Sequence, residues 1–196
     1  MYHVLSGQEA ALSNEERFLL RNTETDMRLL EFWQWNQSDL LSNALRRTLA
    51  EFIVAKALTA NNKMRIEWNA FDLVTPTGIK VEVKSAAYVQ SWQQVKNSAI
   101  SFRIAPAKGW EASTNKYAVE TRRNADVYVF CLLNEQDRSA INPLNLSQWE
   151  FFVLSTKQIN QEKENQKTVS LNRLLKMKPV RTEFLGLAKA AREVMM

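Results

Sequence analysis

The sequence contains one cysteine and one histidine, and this scarcity restricts its chemistry. Cys131 cannot form an internal disulfide, and its position inside ADVYVFCLL favours a small apolar residue of a buried strand over a reactive thiol. The only histidine, His3, lies near one end of the sequence, which excludes histidine acid/base catalysis and multi-histidine metal sites. A single cysteine also excludes a zinc finger. Any reaction must therefore use carboxylates, lysine, arginine, hydroxyls or a bound metal.

Glycine and proline are also scarce, with four of each in 196 residues, which argues against a disordered or low-complexity protein. The chain has no internal repeat and no linker-like stretch, so we expect a single domain over residues 1–196. It has no apolar run long enough to span a bilayer, and its first twenty residues are charged like a soluble helix rather than a secretion signal. These features predict a cytoplasmic protein.

Positive charge exceeds negative charge, with 26 lysines and arginines against 21 acidic residues and a formal charge of +5. The isoelectric point is near 9.4. This balance is compatible with an anionic partner such as nucleic acid, but it does not demand one.

Hydrophobic periodicity predicts an α/β domain with a central mixed β-sheet flanked by helices. The predicted helices are EERFLL and DMRLLEFWQW near the amino terminus, a long helix over SDLLSNALRRTLAEFIVAKALTANN that starts at Ser38, and TEFLGLAKAAREVMM at the carboxyl terminus. The predicted strands are MRIEWNAFDLVT, IKVEVKS, AISFRIAP, ADVYVFCLL and WEFFVLS. Pro76-Thr77-Gly78 predicts a tight turn between the first two strands, with proline at its second position and glycine at its fourth.

Glu51 occupies an unexpected position in the long helix. At 100° per residue it shares a sector with small and apolar residues, whereas Arg46 and Lys56 project from roughly the opposite side. A carboxylate on a face that packs against the sheet is costly unless it is paired, hydrogen-bonded or bound to a metal. A buried ion pair with a lysine or arginine of a strand is the purely structural alternative.

Asp72, Glu82 and Lys84 lie on the two predicted strands that flank the turn. Glu82 and Lys84 alternate with Val81 and Val83, and a hairpin at the turn would bring Asp72 close to Glu82. Two carboxylates held together repel each other in a partly dry site, and a divalent cation removes that cost. Carboxylate oxygens without histidine or thiolate suit Mg²⁺ or Mn²⁺ better than zinc. A solvated strand face with a cross-strand ion pair is the alternative.

Residues 39–133 resemble the core of the PD-(D/E)xK nuclease superfamily. The matching parts are LAEFIVAKAL with Glu51, FDLVT with Asp72, VEVKS with Glu82 and Lys84, and the later strand ADVYVFCLL. The resemblance implies a restriction-endonuclease-like fold with a helical extension over 1–37 and a strand and helix extension over 134–196. It implies that Asp72 and Glu82 bind the metal, that Lys84 orients or helps to deprotonate the attacking water, and that Glu51 assists the metal. Two departures are Phe71, where proline is frequent in the superfamily, and an indistinct crossover helix after Lys84.

Gln90 resembles a glutamine that many superfamily members place after the lysine strand, where its amide positions water or a nucleotide; an ordinary polar loop residue is the alternative. Aromatic and basic residues that follow it could form a surface for stacking and phosphate binding, although aromatic residues are more often part of a core. The members of this surface are Trp92, Lys96, Arg103, Lys108, Trp110, Lys116, Tyr117, Arg122 and Arg123.

The resemblance therefore predicts an Mg²⁺-dependent or Mn²⁺-dependent nuclease that hydrolyses phosphodiester bonds, with DNA as the expected partner. One alternative is a nucleic-acid-binding or protein-interaction module that keeps the fold without turnover. Another is a small α/β protein with a buried charge cluster. Cutting both strands of a duplex would be simplest for a homodimer.

Overall fold

The computed structural model describes residues 11–60, 65, 70–111, 116–163 and 166–196, without the side chains of Glu111 and Lys163. Its secondary structure comprises eleven strands and five α-helices within these residues. The elements that surround the sheet edge carrying the predicted site are α2 (Asn43–Ala57), β3 (Leu73–Val74) and β4 (Lys80–Ala87).

The first element that the structure describes is a β-hairpin, so the helix predicted over EERFLL is wrong. β1 (Arg17–Leu20) pairs with β2 (Thr23–Arg28). Arg21 and Asn22 connect them with φ values of 51° and 66°, the conformation of a two-residue hairpin turn. All four β1 residues are exposed, so no packed apolar face stabilises a helix there. The second prediction is confirmed in part by α1 (Leu29–Gln37).

The long helix α2 is confirmed, but its N-cap lies four residues later than predicted. Ser42, not Ser38, is the N-cap, and its hydroxyl accepts a hydrogen bond from the Leu45 N–H at 3.3 Å. Ser38 instead donates to the Gln34 carbonyl at the end of α1. At the other end Thr59 adopts a φ of 53°, and Ala60 N–H donates to Ala55 O, which terminates the helix. The predicted stop at Asn61-Asn62 lies outside the described residues.

The central sheet is mixed and five-stranded. Beyond β4 it contains β8 (Val127–Leu133), β9 (Trp149–Ser155) and β11 (Val180–Thr182), so that the strand order is β11-β9-β8-β4-β3. β4 and β8 are parallel, and the other neighbours are antiparallel. Every residue of β8 is buried, as expected for the continuous apolar run that predicted it.

Helices and a second small sheet cover the two faces of the central sheet. On one face α2 and α5 (Leu187–Glu193) pack over Val81, Val83 and Ala87 of β4. On the other face Phe102 and Ile104 join Phe130 in a second core. The elements on this side are β5 (Ser101–Arg103), α3 (Thr156–Lys163), β10 (Thr168–Ser170) and α4 (Leu171–Lys176). The carboxyl-terminal helix is shorter than predicted, because Thr182 belongs to β11.

The connection from β4 to β8 contains no α-helix among its described residues, which differs from the crossover helix that the resemblance implies. It contains β5 and a hairpin of β6 (Ala107–Glu111) and β7 (Lys116–Arg122). Phe102 and Ile104 alternate into the second core with the period of a strand, and β5 pairs with β10. The mixed sheet of the predicted fold is confirmed, whereas a helical crossover is not observed. None of the helices that the structure describes is both long and apolar enough to cross a membrane.

We expect the phenylalanines of the fold to differ strongly in their contribution to stability. Phe152 is buried at the centre of β9, whereas Phe52 on α2 is more than half exposed. Phe152→Ala should lower the free energy of unfolding by about 3–5 kcal/mol through lost burial and a residual cavity. Phe52→Ala should lower it by less than about 1 kcal/mol. Urea denaturation of both variants tests this, and equal losses would contradict the burial described.

Candidate active site

The predicted turn forms and fixes the position of Asp72. Gly78 N–H donates to Thr75 O at 2.9 Å, and Gly78 has a φ of 87°, a conformation that suits glycine. The hairpin pairs Leu73 with Val81. Residues 64 and 66–69 of the strand predicted here lie outside the described residues.

Asp72 sits at the edge of β4, immediately before β3. Its N–H donates to Val81 O at 3.1 Å, and its Oδ2 accepts from Val83 N–H at 2.8 Å. The Asp72 side chain therefore takes the place of a further β3 residue in the ladder. This arrangement holds one carboxylate oxygen against the strand that carries Glu82 and Lys84.

Glu82 and Lys84 lie on the β4 face opposite Val81 and Val83, as the alternation predicts. Their side chains are only 19% and 21% exposed, so this face is not simply solvated. Lys84 Nζ donates to Glu82 Oε1, which makes an ion pair within one strand rather than across two. Burial, followed by the negative charge of Glu82, raises the pKa of Tyr128 on β8. Tyr128 is the register partner of Glu82.

Glu51 reaches the same edge from α2 and is 2% exposed. Its Oε1 accepts from Arg47 Nε at 2.9 Å, and its Oε2 accepts from Arg65 Nε at 2.5 Å. Arg47 Nη2 also lies 3.5 Å from Asp72 Oδ1, so one guanidinium joins two carboxylates. The ion-pair alternative for Glu51 is thus realised, although its partners are a helix residue and Arg65 rather than strand residues.

These six side chains form a charged cluster around the edge of β4, composed of Arg47, Glu51, Arg65, Asp72, Glu82 and Lys84. Burial, followed by the charges of Glu82 and Glu51, raises the pKa of Asp72 to about 6. The Val83 N–H and Lys84 oppose this shift. The structure therefore brings the four residues predicted from the sequence into electrostatic contact. Arg47 was not predicted as part of this cluster, although its spacing of four from Glu51 is the signal of a helical ion pair.

The three carboxylates have the chemistry of ligands for a hard divalent cation. A cation would also offset the repulsion between carboxylates that contributes to the raised pKa of Asp72. Among the described residues, no three acidic, histidine or cysteine side chains are grouped closely enough to hold a metal ion as placed. Arg47 and Lys84 instead occupy carboxylate oxygens of Asp72 and Glu82. Metal binding at this edge requires these two cationic side chains to move aside.

Gln90 lies beyond the end of β4 and belongs to a different group of contacts. Its Nε2 donates to Ala87 O at 2.8 Å, and its Oε1 accepts from Arg46 Nη1 at 3.1 Å. Arg46 is only 4% exposed, although it projects from roughly the opposite side of α2 to Glu51. The reason is tertiary, because Leu41 O and Gln90 enclose the guanidinium from outside the helix.

Most residues of the predicted phosphate-binding surface are accessible. Trp92 and Lys96 lie between β4 and β5, and Arg103 lies on β5. The hairpin of β6 and β7 carries Lys108, Trp110, Lys116, Tyr117 and Arg122. Trp110 packs edge-on against Tyr117 with ring centroids 4.9 Å apart. Arg123 differs, because it is buried and donates to Ile104 O, Asn160 Oδ1 and Gln166 O. These contacts give Arg123 a structural position rather than an exposed one.

The raised pKa of Asp72 predicts a specific pH dependence of stability in metal-free protein. Between pH 4 and 6 the native state binds more protons than the unfolded state at this group, so stability falls as the pH rises. Asp72→Asn removes the charge and keeps an acceptor for Val83 N–H. It should therefore stabilise the protein by on the order of 2 kcal/mol above pH 6 and have little effect below pH 4.

Asp137→Asn provides a control of opposite sign, because hydrogen bonds from Ser139 N–H and Oγ lower the pKa of Asp137. This variant should lose stability at neutral pH. Thermal unfolding in EDTA from pH 3.5 to 8 measures both variants. A destabilised Asp72→Asn protein at pH 7 would contradict the desolvation and charge repulsion described for this edge.

Comparison with known proteins places the chain in a family. A search of curated proteins finds no match. The family model described as bacteriophage T4 endonuclease IV matches residues 3–173, which include α2, β3, β4 and β8 and thus every residue of the charged cluster. Because the match covers most of the sequence, the chain belongs to the bacteriophage T4 endonuclease IV family, a family of nucleases.

Proposed function

We propose that this protein is a metal-dependent endonuclease that hydrolyses phosphodiester bonds in DNA, with a site of the PD-(D/E)xK type. The observation that carries the proposal is the meeting of Asp72, Glu82, Lys84 and Glu51 at one sheet edge in a chain of an endonuclease family. Their order along α2, β3 and β4 supports the same type of site. The family name supports nuclease activity, and the basic surface supports an anionic polymer as substrate.

Asp72 and Glu82 would hold Mg²⁺ or Mn²⁺, with Glu51 assisting from α2. When bound, such an ion acts as a Lewis acid on the phosphate and lowers the pKa of a coordinated water. The protein contributes a partly dry edge where carboxylates interact strongly with a cation. Asp72 is held in place by Val83 N–H, so at least one oxygen of the pair is fixed before the cation arrives.

Lys84 would act on the nucleophile, and the position of its ammonium group beside Glu82 Oε1 supports this role. Once released from Glu82, its N–H groups would orient the attacking water or contact a phosphate oxygen. Hydrolysis forms a bond from the water oxygen to phosphorus and breaks the bond from phosphorus to the leaving oxygen. The water loses a proton and the leaving oxygen gains one.

A second candidate function is a nucleic-acid-binding module without turnover. The observation that favours it is the pairing of buried Glu51 with both Arg47 and Arg65, which satisfies this carboxylate without any metal. Cleavage assays and metal titrations separate the two candidates.

We expect Lys84→Ala to reduce DNA cleavage by at least about a hundredfold, since the side chain acts on the reacting groups. Lys80→Ala is the matched control: it removes the same side chain from the same strand, where Lys80 is exposed and lies over the Phe71 ring. Cleavage is measured with single-stranded and duplex DNA in Mg²⁺ and in Mn²⁺. Retained activity in a folded Lys84→Ala protein would remove this lysine from the reaction.

Divalent cations should bind the wild-type protein and raise its melting temperature, and Glu82→Gln should weaken this binding at least about tenfold. Glu150→Gln is the control, because Glu150 is equally buried and is ion-paired with Arg181 on another strand pair. Calorimetric titration with Mg²⁺ and Mn²⁺, alone and with DNA present, measures both variants. Absence of binding under both conditions would favour the module without turnover.

A further inference from the structure

A small polar cavity lies next to the charged cluster, at the carboxyl end of β4. It has a volume of about 260 Å³, and the polar residues around it include Asn43, Arg46, Ser85, Gln90, Trp92 and Ser98. Arg46 is the only charged residue among those described that line it. The cavity is therefore electropositive.

Arg46 is a buried cation whose hydrogen-bond partners are all neutral. Its Nη1 donates to Leu41 O at 2.9 Å and to Gln90 Oε1 at 3.1 Å, and its Nη2 donates to Asn43 Oδ1 at 2.6 Å. Its Nε is buried without a hydrogen-bond partner. A guanidinium carries five N–H groups, so three bonds leave donor capacity unused.

This arrangement is costly unless an anion joins it. Arg46 forms no ion pair with any residue that the structure describes, and desolvation lowers its pKa. Burying an uncompensated charge costs several kcal/mol, a cost that an anionic ligand would offset. Arginine with unused donors is well suited to phosphate oxygens, which it binds through two parallel hydrogen bonds.

Hydrogen bonds between protein groups hold the walls of the cavity in place. Gln94 accepts from Gln90 N–H at 2.6 Å and donates to Tyr88 O and Ser98 Oγ. Arg138 donates to the carbonyls of Gln90 and Trp92. The segment that follows β4 is thus preorganised, as expected for a binding site.

The cavity and the charged cluster share two elements. Arg46 and Arg47 are adjacent on α2, and Arg47 contacts Asp72, whereas Arg46 lines the cavity. On β4, Ser85 lines the cavity one residue after Lys84. The cavity therefore adjoins the charged cluster along both α2 and β4.

We propose that the cavity binds a phosphate of the substrate strand next to the one that is cleaved, with Arg46 as its main ligand. Trp92 is 53% exposed beside the cavity and offers a surface on which an adjacent base can stack. This inference rests on the proposed function, since it assigns a neighbouring part of the same substrate. The cavity fixes the position of the nucleic-acid strand along the site, and cleavage takes place at the charged cluster.

Two variants remove the anion site in different ways. Arg46→Gln removes the charge. Ser98→Asp adds a carboxylate to the cavity and keeps an acceptor for Gln94, so it tests the site even if Arg46→Gln does not fold. Arg46→Lys and Ser98→Asn are the matched controls, because the first keeps the positive charge and the second adds no charge.

Oligonucleotide affinity in EDTA is measured by fluorescence anisotropy at NaCl concentrations from about 25 to about 200 mM, so that the salt concentration varies by roughly a factor of ten. Arg46→Gln and Ser98→Asp should each weaken binding about tenfold and reduce the slope of log K against log salt by about 0.7–0.9. The two controls should keep the wild-type slope. Unchanged slopes in folded Arg46→Gln and Ser98→Asp would overturn the proposal.

A thermal-shift titration with inorganic phosphate distinguishes a strand phosphate from a free anion. Stabilisation by phosphate that the two variants lose, together with unchanged oligonucleotide slopes, would assign the cavity to a free anion and overturn the proposal. If the wild type cuts DNA while the slopes stay unchanged, only this inference fails. If the wild type neither binds nor cuts nucleic acid, the proposed function fails with it.

Discussion

The repulsion among three carboxylates at the edge of β4 is the constraint on which the rest of this region depends. Glu51 comes from one face of the sheet, Glu82 from the other, and Asp72 lies between them at the edge. Such an arrangement is stable only when positive charge is supplied within a few ångströms. Arg47, Arg65 and Lys84 supply it through ion pairs to these carboxylates.

The same constraint makes the region suited to exchange one cation for another. Arg47 is half exposed, and Lys84 is attached to its strand by a flexible stem, so both can leave their carboxylates without disturbing the core. Asp72 cannot leave as easily, because Val83 N–H holds it as part of the ladder. The protein's own basic side chains therefore neutralise this edge, with Asp72 held by the backbone and Arg47 and Lys84 held by their side-chain contacts alone.

Local sequence features predicted the parts of this region that depend on few neighbours. Strand alternation placed Glu82 and Lys84 opposite Val81 and Val83, and the Thr75–Gly78 turn followed from residue preferences. Helical periodicity directed Glu51 towards the sheet. The sequence did not predict the burial of Arg46, because Gln90, far along the chain, encloses it. The amino-terminal hairpin was not predicted for a related reason. No residue of β1 is buried, so no packing stabilises a helix there, and the two-residue turn at Arg21 and Asn22 favours the hairpin.

The parallel pairing of β4 with β8 has a consequence for the order of synthesis. The residues of the charged cluster are all translated before β8, yet β4 pairs with β8 over seven residues, Val81 to Ala87, and with β3 over only two. A nascent chain that has not yet released β8 from the ribosome therefore carries Glu82 and Lys84 on a strand that lacks its main partner. Assembly of the site must wait for a later segment, so a truncated product of translation would lack the organised edge.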